Sequence, residues 1–474
     1  MPIKSGDRYQ IMLPSSVEAY VGQDDVVRIY DAFVEHLDLK ELGLKLTIQP
    51  MGAPRYNPKI LLKLLLYSYS YGIFSSRKIE RACHHNLAFV WLTGNLQPDH
   101  KTIANFRREN LTALKNILKQ CAQFCIKCEL IDGNVLFVDG TKVRANASIK
   151  NTYTVARAEQ SLDKINQRIE ELLSACEQVD RQESNDHSHI KLHKSLDNAQ
   201  ALKAKVENVL KELKDNHLKS KNTTDGDCAN MRSVQGTHAA YNVQHVSDNK
   251  HGLIDASDVV DDSNDSRQFA HQIQHAQEII GKPCQYACAD AGYANTQEQM
   301  NVQTSDTTVV VPSQQQALHR RAEPTAFSRD KFQYDATSDS YRCPEGHSLI
   351  FRGINRRKKA KVYRIADAKI CQSCCYFGQC TSSSNGRKFT HLINHQNQRQ
   401  FERQYIKHKD IYDRRKEVIE HPFGYLKRAL GVQSFSLRGL PAVRAEAGLL
   451  ASCFNIRRLI TILGFDFLLG RLKS

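Results

Sequence analysis

The sequence predicts a mixed α/β fold, a helix-covered sheet that is preceded by a helical domain and interrupted by two insertions. Three patterns predict it. Up to about Cys128 the chain carries Leu, Ile and Phe at three- and four-residue spacings, the period of helices with one apolar face. From Val135 onward, short apolar runs and helical segments follow in the order strand, hairpin, helix, strand, helix, strand, helix, which suits a mixed sheet covered by helices. Two stretches depart from that order, and 474 residues exceed one ordinary core. The expected division is a helical domain over 1–128, a core assembled from 129–150, 230–340 and 396–474, a helical-hairpin insertion over 151–229, and a Cys-rich insertion over 341–395.

In the first domain, Ile60 to Leu66 is apolar nearly all round, as a buried helix requires. Pro98-Asp99-His100 opens another helix, with Asp99 as N-cap, and that helix would display Lys101, Arg107 and Arg108. A helix N-terminus followed by basic residues can grip phosphates or enter a major groove. His100, Lys101, Arg107 and Arg108 are therefore candidate DNA contacts, with a solvated basic face as the equal alternative.

The core strands come next. Val135-Leu136-Phe137-Val138 reads as a strand ending at Asp139, and Tyr286-Ala287-Cys288-Ala289 as one ending at Asp290. Ala239 to Val246 and Gly252 to Val260 read as paired strands around the turn residues Asp248-Asn249-Lys250-His251. A helix from about Ser266 to Ile280, a short helix after Asn295, a strand from Thr307 to Val311 and helices from about Gln396 complete the order. In open sheets functional groups collect at strand ends, where Asp139 and Asp290 are expected.

The first insertion repeats apolar residues at helical steps, through Leu162, Ile165, Ile169, Leu172, Cys176 and Val179 and again from Ala199 through Leu202, Val206 and Val209 to Leu213. Two amphipathic helices follow, and the polar stretch Arg181 to His189 suits the turn of an antiparallel hairpin that packs on itself. In the second insertion, Cys371 and Cys374 have the two-residue gap that lets paired thiolates reach one tetrahedral ion, with Cys343 and Cys380 completing a four-thiolate set suited to Zn²⁺. His347 or Cys375 could replace one ligand, and free thiols are the alternative. Arg352, Arg356, Arg357, Lys358, Lys359, Lys361 and Arg364, interleaved with Phe351 and Tyr363, read as a phosphate-contacting stripe or a solvated basic loop.

Near the C-terminus, Tyr412, Lys416 and Glu420 are four residues apart and would share a helix face, with Lys427 two turns beyond the acid. Pro422 predicts a fresh start or a kink near Glu420. Glu417 competes as the functional acid, but glycine occupies the position seven residues on, where Glu420 has Lys427. Drawn together, Asp139, Asp290 and Glu420 would make a site for two divalent ions, because hard cations such as Mg²⁺ prefer carboxylate oxygens and a metal pair clamps both oxygens of a phosphoryl displacement. A formal charge of +15 makes a polyanion the expected partner. The N-terminal residues lack a signal-peptide stretch, and the apolar segments are interrupted by Lys63 or Asp466, so a cytoplasmic chain without a membrane span is expected.

Taken together these segments resemble a bacterial insertion-sequence transposase of the Asp, Asp, Glu type. The resemblance is carried by Val138-Asp139-Gly140-Thr141-Lys142-Val143-Arg144-Ala145-Asn146, Gly236-Thr237-His238-Ala239-Ala240-Tyr241-Asn242-Val243-Gln244, Ala289-Asp290-Ala291-Gly292-Tyr293 and Glu420-His421-Pro422-Phe423-Gly424. In the first domain it is carried by Arg77 to Arg81, Asp99-His100 and Phe106-Arg107-Arg108. The family's signature of Tyr, Arg, Glu and Lys falls on Tyr412, Arg415, Glu420 and Lys427, with four residues between Arg415 and Glu420 where the family has three. Lys416 has the better helical spacing to the acid and Arg415 the better motif order. The resemblance implies a ribonuclease-H-like catalytic core and cut-and-paste transposition of DNA. It implies two Mg²⁺ ions, or Mn²⁺ in their place, on Asp139, Asp290 and Glu420, with Lys142, Arg144, Lys416 and Lys427 beside the phosphates. It also implies recognition of terminal inverted repeats by the helical domain, target DNA as second substrate, and a homodimer on DNA. A metal-dependent nuclease of the same fold and a noncatalytic DNA-binding descendant are the rivals. Three intact acids near DNA argue against the second.

Overall fold

The computed structural model describes residues 16–44, 56–181, 186–218, 220–233, 236–319, 326–327, 331–335, 337–355, 360–392 and 395–473. They fall into two compact units, one of Met1–Asp265, His275–Lys282 and Lys416–Ser474 and one of Ser266–Gln274 and Pro283–Arg415.

The first unit opens with helices α1 (Val27–His36), α2 (Leu39–Leu42), α3 (Pro58–Ser70), α4 (Ser76–His85), α5 (Leu87–Thr93), α6 (His100–Glu109) and α7 (Leu111–Lys127). The apolar stretch of α3 is buried from Leu61 onward, and the one charge within it, Lys63, is held between Asp31 at 2.5 Å and Glu35 at 2.7 Å. Strand β1 (Val135–Arg144) follows, then β2 (Thr152–Tyr153), the long helices α8 (Val155–Arg181) and α9 (Asp186–Asp215), and β3 (Lys221–Asn222), which pairs with β2 at the base of the two helices. Of the polar stretch read as their turn, residues 182–185 lie outside the described residues. The sheet is completed by β4 (Ala229–Ser233), β5 (Gly236–Asp248) and β6 (Ile254–Val260). β5 is its spine: one edge pairs antiparallel with β1, and the other pairs first with β4 and then with β6.

Helix α10 (Phe269–Ile280) is shared between the units. The second unit holds β7 (Tyr286–Ala289), α11 (Thr296–Val302) and β8 (Thr308–Val310), the two strands being parallel, and then α12 (Gln314–His319). Across the Cys-rich region runs a five-stranded antiparallel sheet, absent from the sequence expectation. It is made of β9 (Gln333–Asp335), β10 (Ser340–Arg342), β11 (Ser348–Asn355), β12 (Ala360–Ile365) and, after α13 (Ala368–Gln372), β13 (Lys388–Leu392). Helices α14 (His395–Lys407) and α15 (Lys409–Asp413) end this unit.

The chain returns to the first unit through α16 (Arg415–Gly424), a π-helical turn at Tyr425–Ala429, α17 (Leu440–Leu463) and α18 (Phe465–Lys473). Helix α17 ties the unit together. Its Gly448 lets α7 approach so closely that an added Cβ would stand 3.0 Å from the Lys115 carbonyl oxygen. Its buried Asn455 accepts from the Ile254 N–H at 2.9 Å and donates to the Ile254 carbonyl at 2.8 Å, which pins the start of β6. No single helix among the described residues is long and apolar enough to cross a membrane.

Candidate active site

Asp139 lies in the middle of β1, not at its end, which corrects the sequence reading. The apolar run stops at Val138 because the strand becomes half-exposed there, while its pairing with β5 continues to Arg144. Asp139 pairs across the ladder with His245, and its Oδ1 accepts from the Gly140 N–H at 2.8 Å. Thr141, two residues on, shares the same face of the strand. The Thr141 hydroxyl accepts from Lys427 Nζ, so the π-helical turn after α16 lies against β1. Burial lowers the Lys427 pKa, and the charge of nearby Asp139 acts in the opposite direction.

Thr141, Val143, Val243 and His245 of the sheet line one cavity with Phe423 and Lys427. Phe423 stacks on the His245 ring at 4.8 Å and 15°. Glu420 is exposed on α16, three residues before Phe423, and Glu417 is exposed one turn earlier. Pro422 sits inside α16 without a fresh helix start at the acid. Having no N–H, it cannot donate to the Val418 carbonyl, and that oxygen faces the turn at Gly252. A break at Arg414 divides the helix, so Tyr412 belongs to α15 while Lys416 and Glu420 belong to α16. Tyr412 is buried against Tyr405 at 5.1 Å.

In the second unit Asp290 follows β7 directly, caps a single 3-10 turn and accepts from the Gly292 N–H at 2.7 Å. Arg415 Nη2 lies 3.7 Å from Asp290 Oδ2. This pair was not anticipated: the motif order singles out Arg415, but nothing local in the sequence joins it to the second acid. Among the described residues no three His, Cys, Asp or Glu side chains stand close enough together to hold a metal ion.

The DNA-contact candidates separate by burial. Asp99 caps α6 as expected, accepting from the Thr102 N–H at 2.8 Å, and Lys101 and Arg108 are exposed. His100 Nδ1 is 2.9 Å from Glu80 on α4. Arg107 needs correction: it is 6 % exposed and donates to the Tyr69 hydroxyl at 3.1 Å and the Phe74 carbonyl at 2.8 Å, so its guanidinium holds helices together rather than facing solvent. Lys142 and Arg144 are half-exposed on β1, and Arg144 contacts the His238 ring at 3.3 Å. Of the basic stripe, residues 356–359 lie outside the described residues, while Lys361 reaches Asp339 at 3.0 Å and lies over the Phe351 ring.

Comparison with known families decides the assignment. A family described as "Transposase domain (DUF772)" matches residues 15–109, and one described as "Transposase DDE domain" matches residues 342–460, a span that takes in Arg415, Glu420 and Lys427. Both matches are to transposases, and together they support an insertion-sequence DDE transposase. Neither a curated protein nor a solved structure matches it. Transposase domains imply DNA as the partner, and the mixed α/β architecture is consistent with a DDE transposase. The DDE match begins beyond Asp139 and Asp290, so those two acids rest on their own local geometry.

Proposed function

We propose that this transposase cleaves DNA at the ends of an insertion sequence and joins the freed 3′-ends to target DNA, using Asp139, Asp290 and Glu420 in a ribonuclease-H-like core. One observation supports the reading above the others: Lys427, seven residues after Glu420, reaches the face of β1 that carries Asp139. The antiparallel strands β1, β5 and β6, followed by α10 and the parallel pair β7 and β8, have the element order such a core requires.

The donor set is three carboxylates, hard oxygen ligands that fit Mg²⁺ or Mn²⁺. When bound, a pair of such ions would lower the pKa of an attacking water or 3′-hydroxyl and stabilise the leaving oxygen. The chain's own residues do the rest. Lys427, anchored on Thr141, presents a cation beside Asp139 for a non-bridging phosphate oxygen. Arg415 orients Asp290 and limits the repulsion that clustered acids exert on one another. Lys416, Lys142 and Arg144 supply further positive charge for the phosphate backbone, and Tyr412 supports the helix pair from its buried position. Exposed Lys101 and Arg108, with His100 held by Glu80, give the N-terminal helices a face for terminal inverted repeats, and two protomers would bring two element ends together.

The test is a cleavage and joining assay with Mg²⁺, labelled element ends and a supercoiled target. Asp139→Asn, Asp290→Asn and Glu420→Gln should each abolish both steps while end binding persists. A fully active Glu420→Gln protein would move the third acid to Glu417. Nicking without joining would make the protein a nuclease, and binding without either reaction a noncatalytic descendant.

A further inference from the structure

The five-stranded sheet of the second unit is small, and its buried apolar core consists of Phe332, Tyr341, Leu349, Tyr363, Ile365 and Phe389. A core of that size seldom holds an independent sheet without a staple such as a disulfide or a structural metal. The cysteines of this region are free thiols. Cys343, Cys371, Cys374 and Cys380, from three separate segments, all line one cavity at the end of this sheet, whereas Cys375, beside Cys374, is exposed and does not.

Two of these segments are shaped around their sulfur. The turn between β10 and β11 closes through the Cys343 N–H to the His347 carbonyl at 2.9 Å and the Gly346 N–H to the Cys343 carbonyl at 2.8 Å, with Gly346 at φ +84°. That turn aims the His347 N–H at Cys343 Sγ, 3.3 Å away. The Arg387 N–H points at Cys371 Sγ from 3.4 Å, and the preceding Gly386, at φ +72°, passes so close that an added Cβ would stand 3.3 Å from the same sulfur and 2.5 Å from Ile365. Backbone N–H groups aimed at sulfur are the outer donors that orient a ligating thiolate on its metal. The thiols are not drawn close enough to share an ion as they stand. What the fold supplies is four sulfurs on one cavity and donors already aimed at two of them.

We propose that this cavity is a structural zinc site, in which Cys343, Cys371, Cys374 and Cys380 each release a proton and close as thiolates on one Zn²⁺ ion. Soft sulfur donors in a closed tetrahedral set select zinc over the hard cations suited to carboxylates. The ion replaces the missing core as the clamp between the β10–β11 turn, α13 and the segment before β13. This assignment is independent of the DNA chemistry.

The test uses the full-length protein, purified with reductant and without chelator. Elemental analysis should find one zinc per chain. Replacement by Co²⁺ should give the intense visible bands of a tetrahedral thiolate site, lost in Cys374→Ser and retained in Cys375→Ser. X-ray absorption at the zinc edge should count four sulfurs at about 2.3 Å. This measurement and the wild-type cobalt spectrum carry the proposal even if Cys374→Ser fails to fold. Protein without zinc or cobalt bands, whose four thiols titrate as free or as disulfides, overturns the proposal, as does a shell of three sulfurs and one nitrogen, which would bring in His347.

Discussion

His245 stands directly opposite Asp139 in the ladder between β1 and β5, fully buried, with its imidazole stacked on Phe423. Among the described residues neither ring nitrogen makes a well-formed hydrogen bond; burial pushes the pKa down to about 4 against a weaker opposing pull from the Gln244 backbone, so the ring is neutral at physiological pH. His245→Phe removes two poorly satisfied polar atoms from the interior, so stability should hold or rise. His245→Ala leaves a ring-sized cavity and should cost roughly 3 kcal/mol. Urea unfolding of both variants decides the matter: equal losses would mean that the imidazole has a polar role.

Lys427 bridges the C-terminal segment to the strand of the first acid through Thr141. Lys427→Met keeps the length of the side chain and removes the charge. It should fold normally and lose about 10²-fold in strand cleavage, the usual cost of removing one preorganised electrostatic partner. Single-turnover cleavage beside end-binding measurements checks this. A matching loss of binding would make Lys427 a DNA anchor only.

In the mechanism proposed above, Arg415 and Lys416 compete for the position that steadies the phosphate, and the 3.7 Å approach of Arg415 to Asp290 distinguishes them. Arg415→Ala should reduce cleavage about 10²-fold, because it frees the second acid from its orienting cation, whereas exposed Lys416→Ala should change cleavage only a few-fold. The reverse ranking in the same assay would assign the role to Lys416.

On α6, neighbouring arginines should behave oppositely. Arg107→Ala removes the donor to the Phe74 carbonyl and the Tyr69 hydroxyl in the interior and the cation near the buried Glu446, and should destabilise the protein by roughly 3 kcal/mol. Arg108→Ala, on the exposed side, should leave stability within about 0.5 kcal/mol and weaken binding to terminal DNA with a shallower salt dependence. Chemical denaturation and a salt titration of binding, run on both variants, would expose a misplacement of either residue.

Periodicity made the helices and most core strands legible, because burial on one face imposes a repeat of 3.6 or 2 on apolar side chains. It misplaced the end of β1, since an apolar run records burial whereas a strand records pairing, and the two part company at Asp139. It gave Arg107 to the DNA because an arginine's sequence position does not reveal that Tyr69 and Phe74 wait for it on the other side of the helix. The sheet of the Cys-rich region went unread because its strands are short and their exposed faces carry Ile350, Phe351 and Ile354, which spoil the alternation. The pairing of Arg415 with Asp290 joins residues far apart in the chain and has no local signal at all.

That same sheet contains an acid whose pH dependence is predictable. Asp339 sits at φ +44° and accepts from the Tyr363 hydroxyl at 2.5 Å, the Tyr334 hydroxyl at 2.7 Å and Lys361 Nζ at 3.0 Å. These donors, Tyr363 first, hold its pKa down at about 2, below its ordinary 3.8. The ionised form is therefore favoured in the folded state. Its stabilisation is complete above the unfolded value and is lost as pH falls through about 2. Asparagine tolerates the left-handed backbone as well as aspartate does, so Asp339→Asn removes the charge without adding strain. The variant should unfold this sheet earlier in urea than the native chain, by a constant margin from pH 8 to pH 5 that narrows between about pH 4 and pH 2. Near-ultraviolet circular dichroism of the clustered tyrosines reports it, and a margin that persists undiminished at the acid end would show that Asp339 acts through its shape and not its charge.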